Sequence, residues 1–136
     1  MIKLVIADDH QRVRQAWVFI LSRNPDIKIV AECKSGAEAI LATKKYCPDI
    51  VLMDINMEPM NGIEAAGIIS RNCENTKIIG MSVHAEMAYV NKMLKAGAIG
   101  YVTKNSSSQE MMKAIQYALA GKSYICREIT ELVRTY

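Results

Sequence analysis

The sequence lacks a hydrophobic run long enough to cross a membrane, a Cys-x-x-Cys pair and a low-complexity segment. The first absence argues against a membrane protein, and the N-terminal segment turns polar at Asp8, too early for a signal peptide. Because the four cysteines are scattered, neither a zinc site nor a redox motif is indicated, and free thiols suit a cytoplasmic location. A net charge of only +3 does not by itself indicate nucleic-acid binding.

The 136 residues are enough for one domain with its own core. Short runs rich in Ile and Val predict strands that are buried on both faces, and longer segments with helical spacing lie between them. The predicted strands are Lys3–Ala7, Lys28–Cys33, Ile50–Met53, Lys77–Met81 and Gly100–Thr103. The predicted helices are Gln11–Ser22, Ala37–Lys45, Ile63–Arg71, Glu86–Ala96 and Gln109–Ala120. This alternation predicts an α/β fold: a doubly wound, five-stranded parallel sheet with helices on both faces.

Three predicted helices begin with capping signals. Ser35 with Glu38, and Ser107 with Glu110, fit the capping box, in which a serine and a glutamate satisfy backbone amides reciprocally. Asn61 is a suitable cap for the helix that begins at Ile63. These signals support the predicted helix boundaries.

Acidic residues end two of the predicted strands. Asp8 and Asp9 follow the first strand, and Asp54 follows the third. In a parallel sheet with these strands side by side, the carboxylates converge at the edge where such sheets bind ligands. Carboxylates packed together repel one another, and a divalent cation resolves the repulsion. Hard oxygen donors suit Mg²⁺, and the backbone carbonyl of Asn56 is placed to add one ligand.

A hydroxyl and an ammonium reach the same edge. Ser82 ends the fourth strand and Lys104 follows the fifth. Together with the acids they supply the parts for phosphoryl transfer to a carboxylate: Asp54 as nucleophile, and Mg²⁺ and Lys104 to neutralise charge. Ser82 is expected to hydrogen-bond a phosphoryl oxygen of the product.

These residues resemble the response-regulator receiver (CheY-like) family over about residues 1–121, nearly the whole chain. The family has an acidic pair, a phospho-accepting Asp, a Ser or Thr and a Lys after successive strands, and all are present here in order. The segment Met53-Asp-Ile-Asn-Met-Glu-Pro-Met-Asn-Gly62 is similar to the family's Met-Asp-x-x-Met-Pro-x-Met-x-Gly. The segment Ala96-Gly-Ala-Ile-Gly-Tyr-Val-Thr-Lys104 resembles its Ala-Gly-Ala-x-Gly-Tyr-x-x-Lys.

The resemblance implies a flavodoxin-like fold and a signalling role. Asp54 would accept phosphate from a phosphohistidine on a sensor histidine kinase or from a small donor, and the domain would catalyse only its own phosphorylation and dephosphorylation. Asp8 and Asp9 would hold Mg²⁺ as the cofactor, and Tyr101 would be the aromatic switch residue whose ring turns inward when Ser82 moves. The family also implies a homodimer that forms on phosphorylation, and tuning of phosphoryl lifetime by Asn56 and His84.

Two regions depart from the family pattern or extend beyond it. Glu58 stands where the family has proline, and Pro59 follows, which alters the loop beside Asp54 and adds a carboxylate. Residues 122–136 form a tail with a weak helical pattern, and Gly121–Ile129 resembles the segment that joins receivers to helix-turn-helix output domains of the LuxR/NarL type. The resemblance implies a receiver from a longer transcription regulator, with DNA binding only through such an output domain, which these residues lack. A natural stand-alone receiver is the alternative.

Three other functions fit the same predicted architecture. A flavin or nucleotide protein needs an amide-rich phosphate loop after the first strand, where this chain has acids. A phosphatase of the haloacid-dehalogenase type places an Asp-x-Asp nucleophile at the first strand, whereas here the acids are adjacent. A pseudo-receiver that serves only protein interaction stays open because of the displaced proline.

Overall fold

The computed structural model describes residues 1–83 and 85–134. The strands are β1 (Ile2–Ala7), β2 (Ile27–Cys33), β3 (Ile50–Asp54), β4 (Lys77–Ser82), β5 (Gly100–Thr103) and β6 (Tyr124–Ile125). The helices are α1 (Gln11–Ser22), α2 (Gly36–Tyr46), α3 (Gly62–Asn72), α4 (Met87–Lys95), α5 (Ser108–Leu119) and α6 (Arg127–Arg134). The ten predicted elements are all confirmed, and no boundary differs from the prediction by more than one residue.

The six strands form one parallel sheet in the order β2-β1-β3-β4-β5-β6. The prediction of five strands was wrong by one, because the two residues of β6 join the sheet beside β5. The order of the strands places β3 between β1 and β4, so the carboxyl ends of β1, β3, β4 and β5 are neighbours at one edge.

Helices cover the sheet in two layers. Helix α3 contacts both α2 and α4, so these three helices share one face, and right-handed crossovers place α1 and α5 on the other. Strand β3 is fully buried and β4 is buried beyond Lys77, which explains why they read as apolar runs rather than as alternating patterns. Within the described part of the chain, no helix combines the length and the apolar character that crossing a bilayer requires.

The predicted caps form, but in both capping boxes the glutamate binds another donor, and Glu38 accepts from the Lys34 amide at 3.4 Å. Ser35, Asn61 and Ser107 each accept a hydrogen bond from the amide three residues later, as predicted. The carboxylate of Glu110, however, accepts hydrogen bonds from the Tyr124 hydroxyl at 2.8 Å and from the Arg127 amide at 2.7 Å. Glu110 therefore fastens the C-terminal segment to α5 instead of completing the box.

That C-terminal segment packs against the domain. The Cys126 amide donates to the carbonyl of Tyr101 at 3.0 Å, and Cys126 and Ile129 are buried. Burial, followed by the hydrogen bond to Glu110, raises the pKa of Tyr124 to about 12, so its hydroxyl stays protonated as the donor. The helix suggested by the weak pattern is present as α6; the domain boundary at residue 121 stays a prediction.

Tyr124→Phe is expected to loosen this segment. The variant leaves the Glu110 carboxylate without one of its two donors, which costs about 1.5–3 kcal/mol for a hydrogen bond to a charged group. We expect the amides of Cys126 and Thr130 to exchange with deuterium about tenfold faster. Tyr117→Phe is the matched control, because it keeps the edge-to-face contact of the two rings, whose centroids lie 5.2 Å apart. Equal exchange in the two variants would contradict the role given to Glu110.

Candidate functional site

Four side chains from three strand ends meet at one edge of the sheet. Asp8 and Asp9 follow β1, Asp54 is the last residue of β3, and Lys104 follows β5. The Lys104 ammonium lies 3.0 Å from Oδ2 of Asp8 and 3.2 Å from Oδ2 of Asp54, and its side chain is only 6% exposed. The predicted convergence of these residues is thus present in the geometry.

Asp54 is fully buried, and its two carboxylate oxygens face different donors. Oδ1 accepts from the backbone amide of Asn56 at 3.1 Å, and Oδ2 accepts from Lys104. Burial raises the pKa of Asp54 to about 6; the Asn56 amide and Lys104 oppose this rise, and the neighbouring Asp8 adds to it. At neutral pH the group is therefore mostly ionised, but in a site where its negative charge is poorly compensated.

Asp8 has one oxygen that lacks a hydrogen bond. Its Oδ1 accepts from the backbone amide of His10 at 2.8 Å. Its Oδ2 is buried and makes no hydrogen bond to the described residues, and the Lys104 ammonium lies 3.0 Å from it as an ion-pair partner. A buried carboxylate oxygen that meets a cation without an aligned hydrogen bond can still be satisfied by a bound metal ion.

Ser82 connects the edge to the interior. Its Oγ accepts a hydrogen bond from the side-chain amide of Asn56 at 3.3 Å. Burial raises the pKa of Tyr101 to about 12, and a hydrogen bond between Tyr101 and Ser82 partly opposes this rise. Tyr101 is fully buried, so its ring points inward rather than standing half-exposed at the edge. Spacing in the sequence could not distinguish these two positions.

Two residues at the site were not predicted from the sequence. His10 places Nδ1 within 3.2 Å of Asp9 Oδ1 and 3.3 Å of Asp8 Oδ1. Arg14 is buried and donates from Nη1 to the backbone carbonyl of Asp8 at 2.7 Å, which holds the turn after β1. A signal for Arg14 does exist, because it shares helical spacing with the buried residues Trp17 and Leu21 and so puts a charge on the apolar face of α1.

Two residues that the sequence singled out near Asp54, Glu58 and His84, have different outcomes. Glu58 is exposed and lines a groove with Asp9 and Asn56, but it is not a member of the cluster of potential metal ligands found among the described residues. This position agrees with a solvated carboxylate. His84, the predicted tuning residue, lies outside the described residues, and the tuning role of Asn56 stays a prediction.

The acidic cluster fits a divalent cation. Asp8, Asp9, His10 and Asp54 offer ligand atoms that all lie within 4.8 Å of one another. The donors are mostly carboxylate oxygens, as Mg²⁺ prefers, and the buried Asp8 oxygen described above makes no hydrogen bond to the described residues. The ligand roles of Asp8, Asp9, Asp54 and Asn56 stay predictions.

Comparison with known proteins gives one consistent family. Residues 4–116 match the response regulator receiver domain. The chain is 35% identical over 136 residues to the transcriptional regulatory protein DegU of Brevibacillus brevis, a match that covers 99% of this chain and 58% of DegU. It is 36% identical over 131 residues to the response regulator UvrY of Escherichia coli strain K12, with 96% of this chain and 60% of UvrY covered.

A solved structure shows the same fold. The crystal structure of a two-component response regulator of the LuxR family from Aurantimonas sp. SI85-9A1 has a TM-score of 0.91 and 32% identity, and the match covers 99% of this chain and 96% of that one. The chain spans about three fifths of the length of the two curated relatives above. These matches decide against the flavin-binding and phosphatase hypotheses and confirm the resemblance found in the motifs. The chain belongs to the response regulator receiver domain family.

Proposed function

We propose that the carboxylate of Asp54 accepts a phosphoryl group and that the domain changes conformation in response. The observation that carries the proposal is the environment of this one side chain. Asp54 is fully buried at the end of β3, beside a second buried carboxylate, that of Asp8. The nearly buried ammonium of Lys104 lies 3.2 Å from Oδ2 of Asp54. An ionised group kept in so unfavourable a place is typical of a functional residue rather than of a helix cap.

The transfer is a displacement at phosphorus. An oxygen of Asp54 forms a bond to the phosphorus atom, and the bond from phosphorus to the donor breaks, leaving an acyl phosphate on Asp54. The donor would be a phosphohistidine of a sensor histidine kinase, with the electron pair leaving on nitrogen, or acetyl phosphate, with the pair leaving on oxygen. Lys104 offsets the negative charge that three phosphoryl oxygens bring to the site.

A bound Mg²⁺ would supply further positive charge and would be held by Asp8, Asp9, Asp54 and the backbone carbonyl of Asn56. Receiver domains generally bind Mg²⁺ in an acidic pocket of this kind. Arg14 fixes the backbone from which Asp8 projects, so it positions this cluster without touching the reacting atoms.

The conformational change would pass from Ser82 through Tyr101 to the C-terminal segment. A phosphoryl group on Asp54 adds roughly −1.5 to −2 charge and strong acceptor oxygens. Ser82 would turn its hydroxyl to one of them and give up its contacts with Asn56 and Tyr101. The carbonyl of Tyr101 accepts a hydrogen bond from the Cys126 amide. A movement of Tyr101 would therefore also move the C-terminal segment.

The wider role is proposed from the relatives. Sensor histidine kinases phosphorylate response regulators, and the relatives include proteins named as a transcriptional regulator and as a LuxR-family regulator. We extend this to the present chain as a receiver, residues 1–121, whose C-terminal segment leads to a DNA-binding output domain of the LuxR/NarL type. A homodimer on phosphorylation and a cytoplasmic location complete the proposal.

Acetyl phosphate tests the proposal directly. Intact-protein mass is measured after incubation with the donor, with and without Mg²⁺, for the wild type and Asp54→Asn. We expect the wild type to gain one phosphoryl group only when Mg²⁺ is present, and Asp54→Asn to gain none. Lys104→Met, which keeps the length of the side chain but removes its charge, is expected to slow the gain at least tenfold.

Asp49→Asn is the matched control. It removes a different carboxylate near β3, whose Oδ2 accepts from the Lys3 amide far from the cluster, and it should take up phosphate like the wild type. A folded wild-type protein that gains no mass from acetyl phosphate or from a phosphorylated histidine kinase would favour the pseudo-receiver instead.

A further inference from the structure

His10 stands at the start of α1 but does not cap it. Its backbone occupies the N-cap position, where residues such as Ser or Asp normally accept a hydrogen bond from the first turn. The imidazole makes no such bond. Instead its Nδ1 faces the carboxylates, at 3.2 Å from Asp9 Oδ1, 3.3 Å from Asp8 Oδ1 and 3.9 Å from Asp54 Oδ2.

These separations match those of donor atoms around one small cation. An octahedral ion with bonds of about 2.1 Å sets neighbouring ligand atoms roughly 3.0 Å apart and opposite ones roughly 4.2 Å apart. The distances from Nδ1 to Asp9 and Asp8 are close to the first value, and the distance to Asp54 lies between the two. The ligand atoms of all four side chains lie within 4.8 Å of one another, so the cluster has to contract slightly for all of them to contact one ion.

Two further observations indicate that positive charge belongs here. Among the described residues, the buried Oδ2 of Asp8 makes no hydrogen bond, although the Lys104 ammonium lies 3.0 Å from it. The Lys104 ammonium lies 3.3 Å from Nδ1 of His10 while it contacts Asp8 and Asp54. The same imidazole nitrogen therefore lies beside a cation as well as beside the acids.

We propose that His10 binds the divalent cation of this site directly through Nδ1, so that the site combines one nitrogen with its carboxylate oxygens. This inference rests on the proposed function, since it concerns the same cluster, but it adds a ligand of a different chemical class. Imidazole binds transition metals well, whereas Mg²⁺ prefers oxygen. The site is therefore expected to favour Mn²⁺ over Mg²⁺ more strongly than a site of oxygen ligands alone.

Pulsed electron paramagnetic resonance of bound Mn²⁺ tests this ligand. Electron spin-echo modulation detects nitrogen nuclei bonded to the ion, and labelling the histidines with ¹⁵N assigns the signal to imidazole. The chain has two histidines, so His10→Gln and His84→Gln form a matched pair. We expect the histidine nitrogen signal in the wild type and in His84→Gln, and its loss in His10→Gln.

Affinity gives a second measurement. Titration calorimetry should show Mn²⁺ binding weakened by about tenfold or more in His10→Gln, with a smaller change for Mg²⁺. Wild-type protein that binds Mn²⁺ without a histidine nitrogen signal overturns the proposal, and this result needs no variant to fold. Persistence of the signal in His10→Gln, its loss in His84→Gln, or failure to bind Mn²⁺ at all also overturns it.

The phosphoryl gain is measured on the same samples, which separates the two claims. Uptake on Asp54 without nitrogen coupling to Mn²⁺ would refute the His10 ligand and leave the proposed function standing. Nitrogen coupling without uptake from either phosphodonor would refute the proposed function and support the ligand.

Discussion

Asp54→Asn is expected to make the folded protein more stable while it abolishes phosphoryl uptake. The wild-type carboxylate is fully buried beside Asp8, and burial raises its pKa from the usual 3.8 to about 6. A charged group whose pKa rises on folding opposes folding at neutral pH, here by on the order of 2–3 kcal/mol. Asparagine has the same shape and no charge, and it keeps one oxygen to accept from Asn56 or Lys104.

Urea unfolding at pH 7 in metal-free buffer measures this gain in the free energy of unfolding. Asp9→Asn is the control, since the Asp9 side chain is 40% exposed and its neutralisation should change stability much less. The folded-state pKa of Asp54 is raised, so the wild type becomes more stable as the pH falls below about 6 and Asp54 is protonated. The difference in unfolding free energy between Asp54→Asn and the wild type should therefore shrink at low pH. If the variant is no more stable than the wild type at pH 7, the charge at Asp54 is better compensated than the geometry indicates.

Gly62→Ala is expected to damage both stability and the site. A Cβ atom on Gly62 would overlap the backbone oxygen of Asp54 and would lie 2.7 Å from Cα of Ile55. Backbone atoms of a buried strand end cannot move aside as a flexible side chain can. The variant therefore has to displace the chain that carries Asp54, at a cost of about 3 kcal/mol or more.

The matched control lies on the same helix. A Cβ atom on Gly67 would have Arg71 Nη1 as its nearest neighbour, at 3.4 Å, and the end of that side chain can shift. Alanine is favoured over glycine within a helix, so Gly67→Ala should be neutral or stabilising by up to about 1 kcal/mol. Unfolding free energies and rates of phosphoryl gain distinguish the two variants. Similar behaviour of Gly62→Ala and Gly67→Ala would show that the Asp54 backbone yields more readily than its packing suggests.

The main sheet and the acidic edge could be predicted from the sequence for a simple reason. Strands buried on both faces read as apolar runs, and in a parallel sheet every carboxyl end lies at the same edge. Placing Asp8, Asp54 and Lys104 together therefore needed only the strand boundaries and the right neighbours. The positions of these residues along the chain did not predict the distances between their side chains.

The features that the sequence did not reveal depend on tertiary contacts. The two residues of β6 have no pattern of their own, and they form a strand because the edge of β5 offers backbone partners. Glu110 has the spacing of a capping box but is drawn to Tyr124 and Arg127, which arrive from outside its helix. The direction of the His10 ring likewise depends on acids from two strand ends, which no local pattern encodes.

The most direct test of the central claim is to locate the acyl phosphate. Borohydride reduces an acyl phosphate on aspartate to homoserine, and tryptic peptides then report the modified position by mass spectrometry. Cleavage after Lys45 and Arg71 isolates residues 46–71 with Asp54, and cleavage after Lys3 and Arg12 isolates residues 4–12 with Asp8 and Asp9. We predict homoserine at position 54 alone, after treatment with acetyl phosphate and Mg²⁺. Homoserine at position 8 or 9, or at none of the three positions in a folded protein, would contradict the account.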